Sequence, residues 1–207
     1  AKYLAAEKIS DRFFLLEKAL GAPDSSVTYL YVPELDQVAH KFGVSSDEWL
    51  HLVEEFDLIV NRFNAKLSGD IGVILTADHG VMDVSQSNHV YLDDFEWYES
   101  KVINTAGDPR CNFVYLGDSQ QLTAFVQVAQ EHFGSSAYIC TTRQLVEEGW
   151  LVDGPSRFIP DAYIIWKDAE VAYDRRFSKP QHLNMVGQHG GISDIETRVP
   201  LIKLGKY

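Results

Sequence analysis

The chain has 207 residues, of which 45% are hydrophobic, and carries a formal net charge of −12. That length and apolar content suit a folded domain with a sizeable core, and they exclude a wholly disordered polypeptide. The acidic excess argues against broad electrostatic affinity for nucleic acid or anionic membranes, although a bound dication would reverse the local field and admit a small anionic substrate.

Residues 1–20 place Leu4, Ile9, Phe13, Leu16 and Leu20 at roughly helical spacing, which predicts an amphipathic helix. Gly21, Ala22, Pro23 and Asp24 stop it. Residues 26–32 (SVTYLYV) are β-branched and aromatic and read as a buried strand, ended by Pro33. Ser46, Asp47 and Glu48 open the next helix with a cap and an acidic first turn. Its apolar face is Leu50, Val53, Phe56, Ile59, Val60, Phe63 and Leu67. Residues 71–76 (IGVILT) form a continuous apolar run, the mark of a strand buried on both faces. Helix, strand, helix, strand is the pattern of a βαβ unit with parallel strands. Ligands gather beyond the carboxyl ends of such strands.

From residue 81 to 181 the texture changes. Short strands are predicted at 112–116, 137–141 and 162–166, with one helix at 120–132. Turn signals Gly107-Asp108-Pro109, Asp153-Gly154-Pro155 and Ser178-Lys179-Pro180 separate them. This reads as a mixed α+β cap, followed by a last strand at 198–204 that returns to the core. The division expected is a metal-binding α/β core over 1–85, an inserted cap over 86–181, and a return to the core over 182–207. No run is apolar enough to span a membrane. Residues 1–4 lack a signal-peptide pattern and open directly into helix-like sequence, so an excised fragment is expected. The compartment stays open, with a cytoplasmic reading preferred. Cys111 and Cys140 are too few for a disulfide framework and read as ordinary thiols.

Three short stretches carry candidate chemistry. Asp36 and His40 are four residues apart after a strand, so a helix over 35–42 projects both from one face. The same spacing serves a surface polar pair. Asp78 and His79 follow a buried strand directly, and Gly80 lets the backbone turn there. Equally, Asp78 can cap a turn and His79 can be a core histidine. His189 precedes Gly190 and Gly191, where backbone can pass close to a ligand or simply turn. Together they supply imidazole nitrogens and carboxylate oxygens, the donor set of zinc. One division puts Asp36, His40 and His189 on one ion, and Asp78 and His79 on a second that is short of partners. His51, His89, His132 and His182 are not assigned to the site.

The runs YVPELDQVAHKFG, VILTADHGVMDV and VGQHGGISDIETRVPLI resemble, in content and order, the type I phosphodiesterase/nucleotide pyrophosphatase family of the alkaline phosphatase superfamily. The resemblance implies an α/β, alkaline-phosphatase-like fold: a doubly wound, mostly parallel sheet with a small inserted α+β cap. It implies two divalent metal ions, usually zinc. Asp36, His40 and His189 match the ligands of the first ion; Asp78 and His79 match two ligands of the second. In the family the second ion also takes an aspartate and a threonine or serine nucleophile from earlier in the chain, and nothing here matches those two. The expectation is therefore a fragment of a hydrolase of phosphodiester or pyrophosphate bonds, inactive alone and holding at most one ion well.

The expected partner is a small phosphate ester or nucleotide, with no nucleic acid binding and no membrane span in this stretch of chain. A homodimer through exposed sheet surface is also expected. Phosphomonoesterase, sulfatase, phosphonate hydrolase and phosphomutase activities share the scaffold and stay open as alternatives. So does a non-catalytic binding domain with incidental histidines. Tyr91, Trp97, Tyr98 and Trp150 can stack on a base or fill a core, and Arg110 can pair a phosphate or lie at the surface.

Overall fold

The computed structural model describes residues 2–21, 26–152 and 159–206. The turn signals at 22–24 and 153–155 lie outside the described residues. In chain order the elements are α1 (Ile9–Leu20), α2 (Glu34–Phe42), α3 (Asp47–Asn64), β1 (Gly72–Thr76), β2 (Met82–Asp83), β3 (His89–Tyr91), α4 (Glu96–Glu99), β4 (Val102–Asp108), β5 (Cys111–Leu116), α5 (Leu122–Phe133), β6 (Ala137–Thr141), α6 (Thr142–Glu147), β7 (Ala162–Trp166), β8 (Val171–Tyr173), β9 (Gly187–Gln188), α7 (Asp194–Thr197) and β10 (Leu201–Gly205). They fall into two compact units, one of Ala1–Asp78 with Val199–Tyr207, the other of His79–Arg198.

In the first unit α1 begins at Ile9 rather than at the terminus. Its helix starts where the apolar face finds a partner: Ile9 and Phe13 are buried, while Tyr3 and Leu4 are exposed. Isolated turns without such packing are unstable. Phe13 meets Phe56 and Phe63 of α3 edge-on, at 6.2 and 5.3 Å between ring centroids. Ser46 caps α3 as expected, its hydroxyl accepting from the Trp49 amide at 3.2 Å.

Residues 26–32 are not a strand. Their alternation is real: Leu30 and Val32 turn toward the apolar cluster of α1 and α3, whereas Val27, Tyr29 and Tyr31 point outward. They join no ladder among the described residues, so the parallel βαβ reading of the first eighty residues does not hold. Instead β1 pairs antiparallel with β10, from Gly72 opposite Gly205 to Thr76 opposite Leu201. Nor is β1 buried on both faces. Val73 packs against the helical cluster, but Ile74 is 51% exposed. A continuous apolar run states affinity for cover; it does not say whether cover lies on both sides.

The second unit is built on an antiparallel sheet in the order β4-β5-β7-β6. Strands predicted at 112–116, 137–141 and 162–166 are three of its four members. β7 lies inside the sheet, and all five of its residues are buried. One face packs Val114, Ile164 and Trp166 with Phe125, Ala129 and Phe133 of α5. The other gathers Cys140, Leu145, Tyr163 and Ile165. Two short ladders complete the unit: β2 with β9, antiparallel, and β3 with β8, parallel. Cys111 and Cys140 are unbonded thiols. Burial pushes both up to about 12, which keeps them protonated and unreactive near neutrality. Among the described residues no helix is long and apolar enough to cross a membrane.

Candidate metal centre

In the first unit, α2 presents the first motif. Pro33 precedes the helix and its carbonyl accepts from the Gln37 amide at 3.0 Å. Arg12 ties the helix start to α1 through Glu34 and the Tyr31 carbonyl. The Trp49 indole donates to the Leu35 carbonyl at 3.1 Å, fixing α2 against α3. Gly43, at φ +88°, ends the helix. On this fixed element His40 Nε2 lies 3.4 Å from Asp36 Oδ1, both side chains half-buried. The i, i+4 spacing thus delivers one nitrogen and one carboxylate to the same helical face. Asp78, the last residue of this unit before the chain passes on, is exposed and lies just beyond the carboxyl end of β1.

The second unit brings the histidines of the other two motifs together. The His79 and His189 rings stack with centroids 3.7 Å apart and planes inclined by 16°. His79 Nδ1 lies 3.1 Å from the Gly80 carbonyl. A carbonyl can only accept, so this contact places the hydrogen on Nδ1 and the acceptor lone pair on Nε2. In that tautomer Nε2 is the nitrogen that would bind a metal.

The glycines beside these histidines are sterically required. A Cβ on Gly80 would sit 1.9 Å from the Ile195 carbonyl oxygen. Gly190, at φ +109°, passes against Asp108. A Cβ on Gly191 would meet the Trp166 carbonyl oxygen at 2.5 Å and the Arg110 guanidinium at 2.8 Å.

Arg110 is neither a surface arginine nor a phosphate-facing one. It lies between β4 and β5 and is fully buried. Its Nε and Nη2 donate to the two carboxylate oxygens of Glu196 at 2.7 and 2.6 Å. Nη1 donates to the Asp168 and Glu170 carbonyls, each at 2.6 Å. Glu196 also accepts from the Gly191 amide at 2.8 Å and from the Ser193 hydroxyl. Burial alone would raise the Glu196 pKa, but the Arg110, Ser193 and Gly191 donors outweigh it and hold the carboxyl below its ordinary value. Sequence reasoning missed this pair because the two residues are far apart in the chain and each stands in a turn-like context.

The remaining candidates fall elsewhere. Tyr98 is fully buried and Trp97 packs on the same core, so these aromatics serve packing. Arg175 covers the Tyr91 ring at 4.8 Å, and Trp150 is 52% exposed beside Tyr138. His132 Nδ1 contacts the Val128 carbonyl of its own helix.

A model of one enzyme family, described as type I phosphodiesterase / nucleotide pyrophosphatase, matches residues 3–192. The chain belongs to that family. It is a family of phosphodiesterases and pyrophosphatases known for divalent-metal use. Comparison with curated protein sequences gives no match. Among solved structures, murine ectonucleotide pyrophosphatase/phosphodiesterase 5, an inactive variant in complex with AMP, is similar with a TM-score of 0.74 and 16% identity. The match covers 100% of this chain and 54% of that one. A second structure of the murine protein gives a TM-score of 0.73 at 16% identity over 99% of this chain and 54% of the other. The human protein gives 0.71 at 16% identity with the same coverage. The fold is accordingly α/β and alkaline-phosphatase-like, and the chain spans about half the length of these solved relatives.

Proposed function

We propose that this phosphodiesterase-family chain carries the metal-ligand part of a hydrolase of phosphodiester or pyrophosphate bonds, acting on a small phosphate ester or nucleotide. The observation that carries the reading is the His79–His189 stack, which joins the second and third motifs from distant stretches of chain. The donor chemistry fits a divalent ion. His79 holds its Nδ1 at a carbonyl, and Asp36 and His40 sit as a carboxylate–imidazole pair on one helical face.

In this reading Asp36, His40 and His189 hold one ion, and Asp78 and His79 provide two ligands to a second; zinc is the ion the donors suit best. Such ions, when bound, polarise the phosphoryl oxygens and ease deprotonation of an attacking oxygen. The chain's own contribution is to fix the ligands: α2 is held by Arg12 and Trp49, and the two histidine turns by glycines that admit no side chain. No serine or threonine here matches the family nucleophile, so the chain alone should bind metal without turnover.

Zinc titration against a chromophoric chelator tests this directly. One tight ion per chain is expected, lost on His189→Ala or Asp36→Asn, with no hydrolysis of bis(p-nitrophenyl) phosphate above a zinc-buffer control. Two tight ions, or genuine turnover, would overturn the ligand division or the missing nucleophile respectively. The first unit's exposed apolar residues support one further element of the reading, self-association of two copies through that surface.

A further inference from the structure

We infer that Arg110 and Glu196 are positioning residues: their buried ion pair is the clamp that holds the His79 and His189 rings in register. Glu196 touches both histidine turns with different atoms. Its backbone carbonyl accepts from the Gly80 amide at 2.7 Å, one residue after His79. Its carboxylate accepts from the Gly191 amide at 2.8 Å, two residues after His189. The β2–β9 ladder ends with Met82 opposite Gln188, and beyond it Glu196 joins the two loops at Gly80 and Gly191.

Arg110 fixes Glu196 in turn. The guanidinium meets the carboxylate with two parallel bonds and spends Nη1 on the Asp168 and Glu170 carbonyls. A planar fork with both partners buried has one geometry, which a lysine could not reproduce. The arginine is seated between strands β4 and β5, which pair with Asp108 opposite Cys111, so the clamp is anchored in the main sheet of the unit. Ile192 adds a further tie, its amide donating to the Trp166 carbonyl at 3.1 Å. Removing either charge leaves the other buried without its partner, a situation that drives local rearrangement. The rearrangement falls on Gly191 and Gly80, whose neighbours are the stacked rings.

The inference concerns the rings themselves, so it can be tested without metal. It rests on the proposed function only for its consequence, the placing of metal ligands. In protein labelled at histidine, the ring carbon-bound protons of His79 and His189, assigned with His79→Gln and His189→Gln, should carry the ring-current shifts of a stacked pair. Arg110→Met and Glu196→Gln should move both sets toward unstacked positions. Glu196→Asp should restore them in part. Asp174→Asn is the control: it weakens another buried carboxylate of the same unit, which bonds Arg176 rather than the Gly80 or Gly191 amide. It should lower stability while leaving the His79 and His189 signals in place. Should Glu196→Gln fail to fold, Gly191→Ala strikes the same clamp from the loop side, because its Cβ would press on Arg110 and Glu196. Clamp variants that fold and whose ring signals move no more than those of Asp174→Asn would overturn the inference.

Discussion

At the scale of single residues, His89 shows how burial alone makes a pH dependence. Its ring packs near Tyr173, 5.3 Å between centroids, and neither ring nitrogen has a hydrogen-bond partner among the described residues. Desolvation lowers its pKa from the ordinary 6.5, so the fold holds the neutral ring and resists the charged one. The unfolded chain then binds the proton first as pH falls. Stability attributable to this residue is complete above about pH 6.5 and declines as pH drops toward the lowered folded value. Urea midpoints measured between pH 7.5 and 5 should therefore fall less steeply in His89→Gln than in the parent chain. At this scale the sequence was legible where spacing is local. The i, i+4 pairing of Asp36 and His40 follows from helical geometry once residues 35–42 are read as a helix. Arg110 and Glu196 were not legible, because nothing local distinguishes an arginine after Pro109 that folds inward from one that stays in water.

At the scale of elements, legibility followed packing. β6 and β7 stand where their apolar runs placed them, because each lies against a partner strand and a covering layer that reward the run. Residues 26–32 carry an equally strong strand signal, yet form none, for their outward side chains meet no layer and their backbone no ladder among the described residues. Propensity is a preference for a half-buried pleated surface, and it is realised only where such a surface exists. Residues 2–8 stay outside helix α1 for the same reason. Of the strands that went unread, β2, β3, β8 and β9 have two or three residues each and are too short for any period to show, while β4 is an edge strand of seven residues of which only Val102 is buried, so it carries no apolar run to read. The inner strands also carry a polar requirement. The Trp166 indole on β7 donates to Asn112 Oδ1 on β5 at 3.1 Å, and Asn112 in turn donates to the Ala172 carbonyl at 2.9 Å. Trp166→Phe keeps most of the ring volume but leaves a buried amide oxygen without its donor. Such a loss costs about 1–3 kcal/mol, and the urea unfolding midpoint should drop accordingly with an unchanged slope.

For the molecule as a whole, the two units differ in how well they cover themselves. The second unit encloses most of the fully buried large side chains, including Trp166, Tyr98, Tyr173 and Phe125. The first unit exposes Tyr29 by 85%, Leu201 by 67% and Ile74 by 51%. The last two share a surface. In the β1–β10 ladder Ile74 lies opposite Lys203 and Thr76 opposite Leu201, so Ile74, Thr76, Leu201 and Lys203 all stand on the face turned away from Val73. Soluble monomers seldom leave apolar sheet surface open in this way, and a second copy offers the same surface for mutual cover. Sedimentation velocity of the chain should consequently show a concentration-dependent shift toward a dimer. Lysine on each apolar position of that face, in the double variant Ile74→Lys with Leu201→Lys, adds like charges beside Lys203 and should return the chain to a monomer without lowering the second unit's stability. A parent chain that stays monomeric across the accessible concentration range would remove self-association from the reading while leaving the metal-ligand assignment untouched, since none of the five ligand residues lies on that face of the ladder.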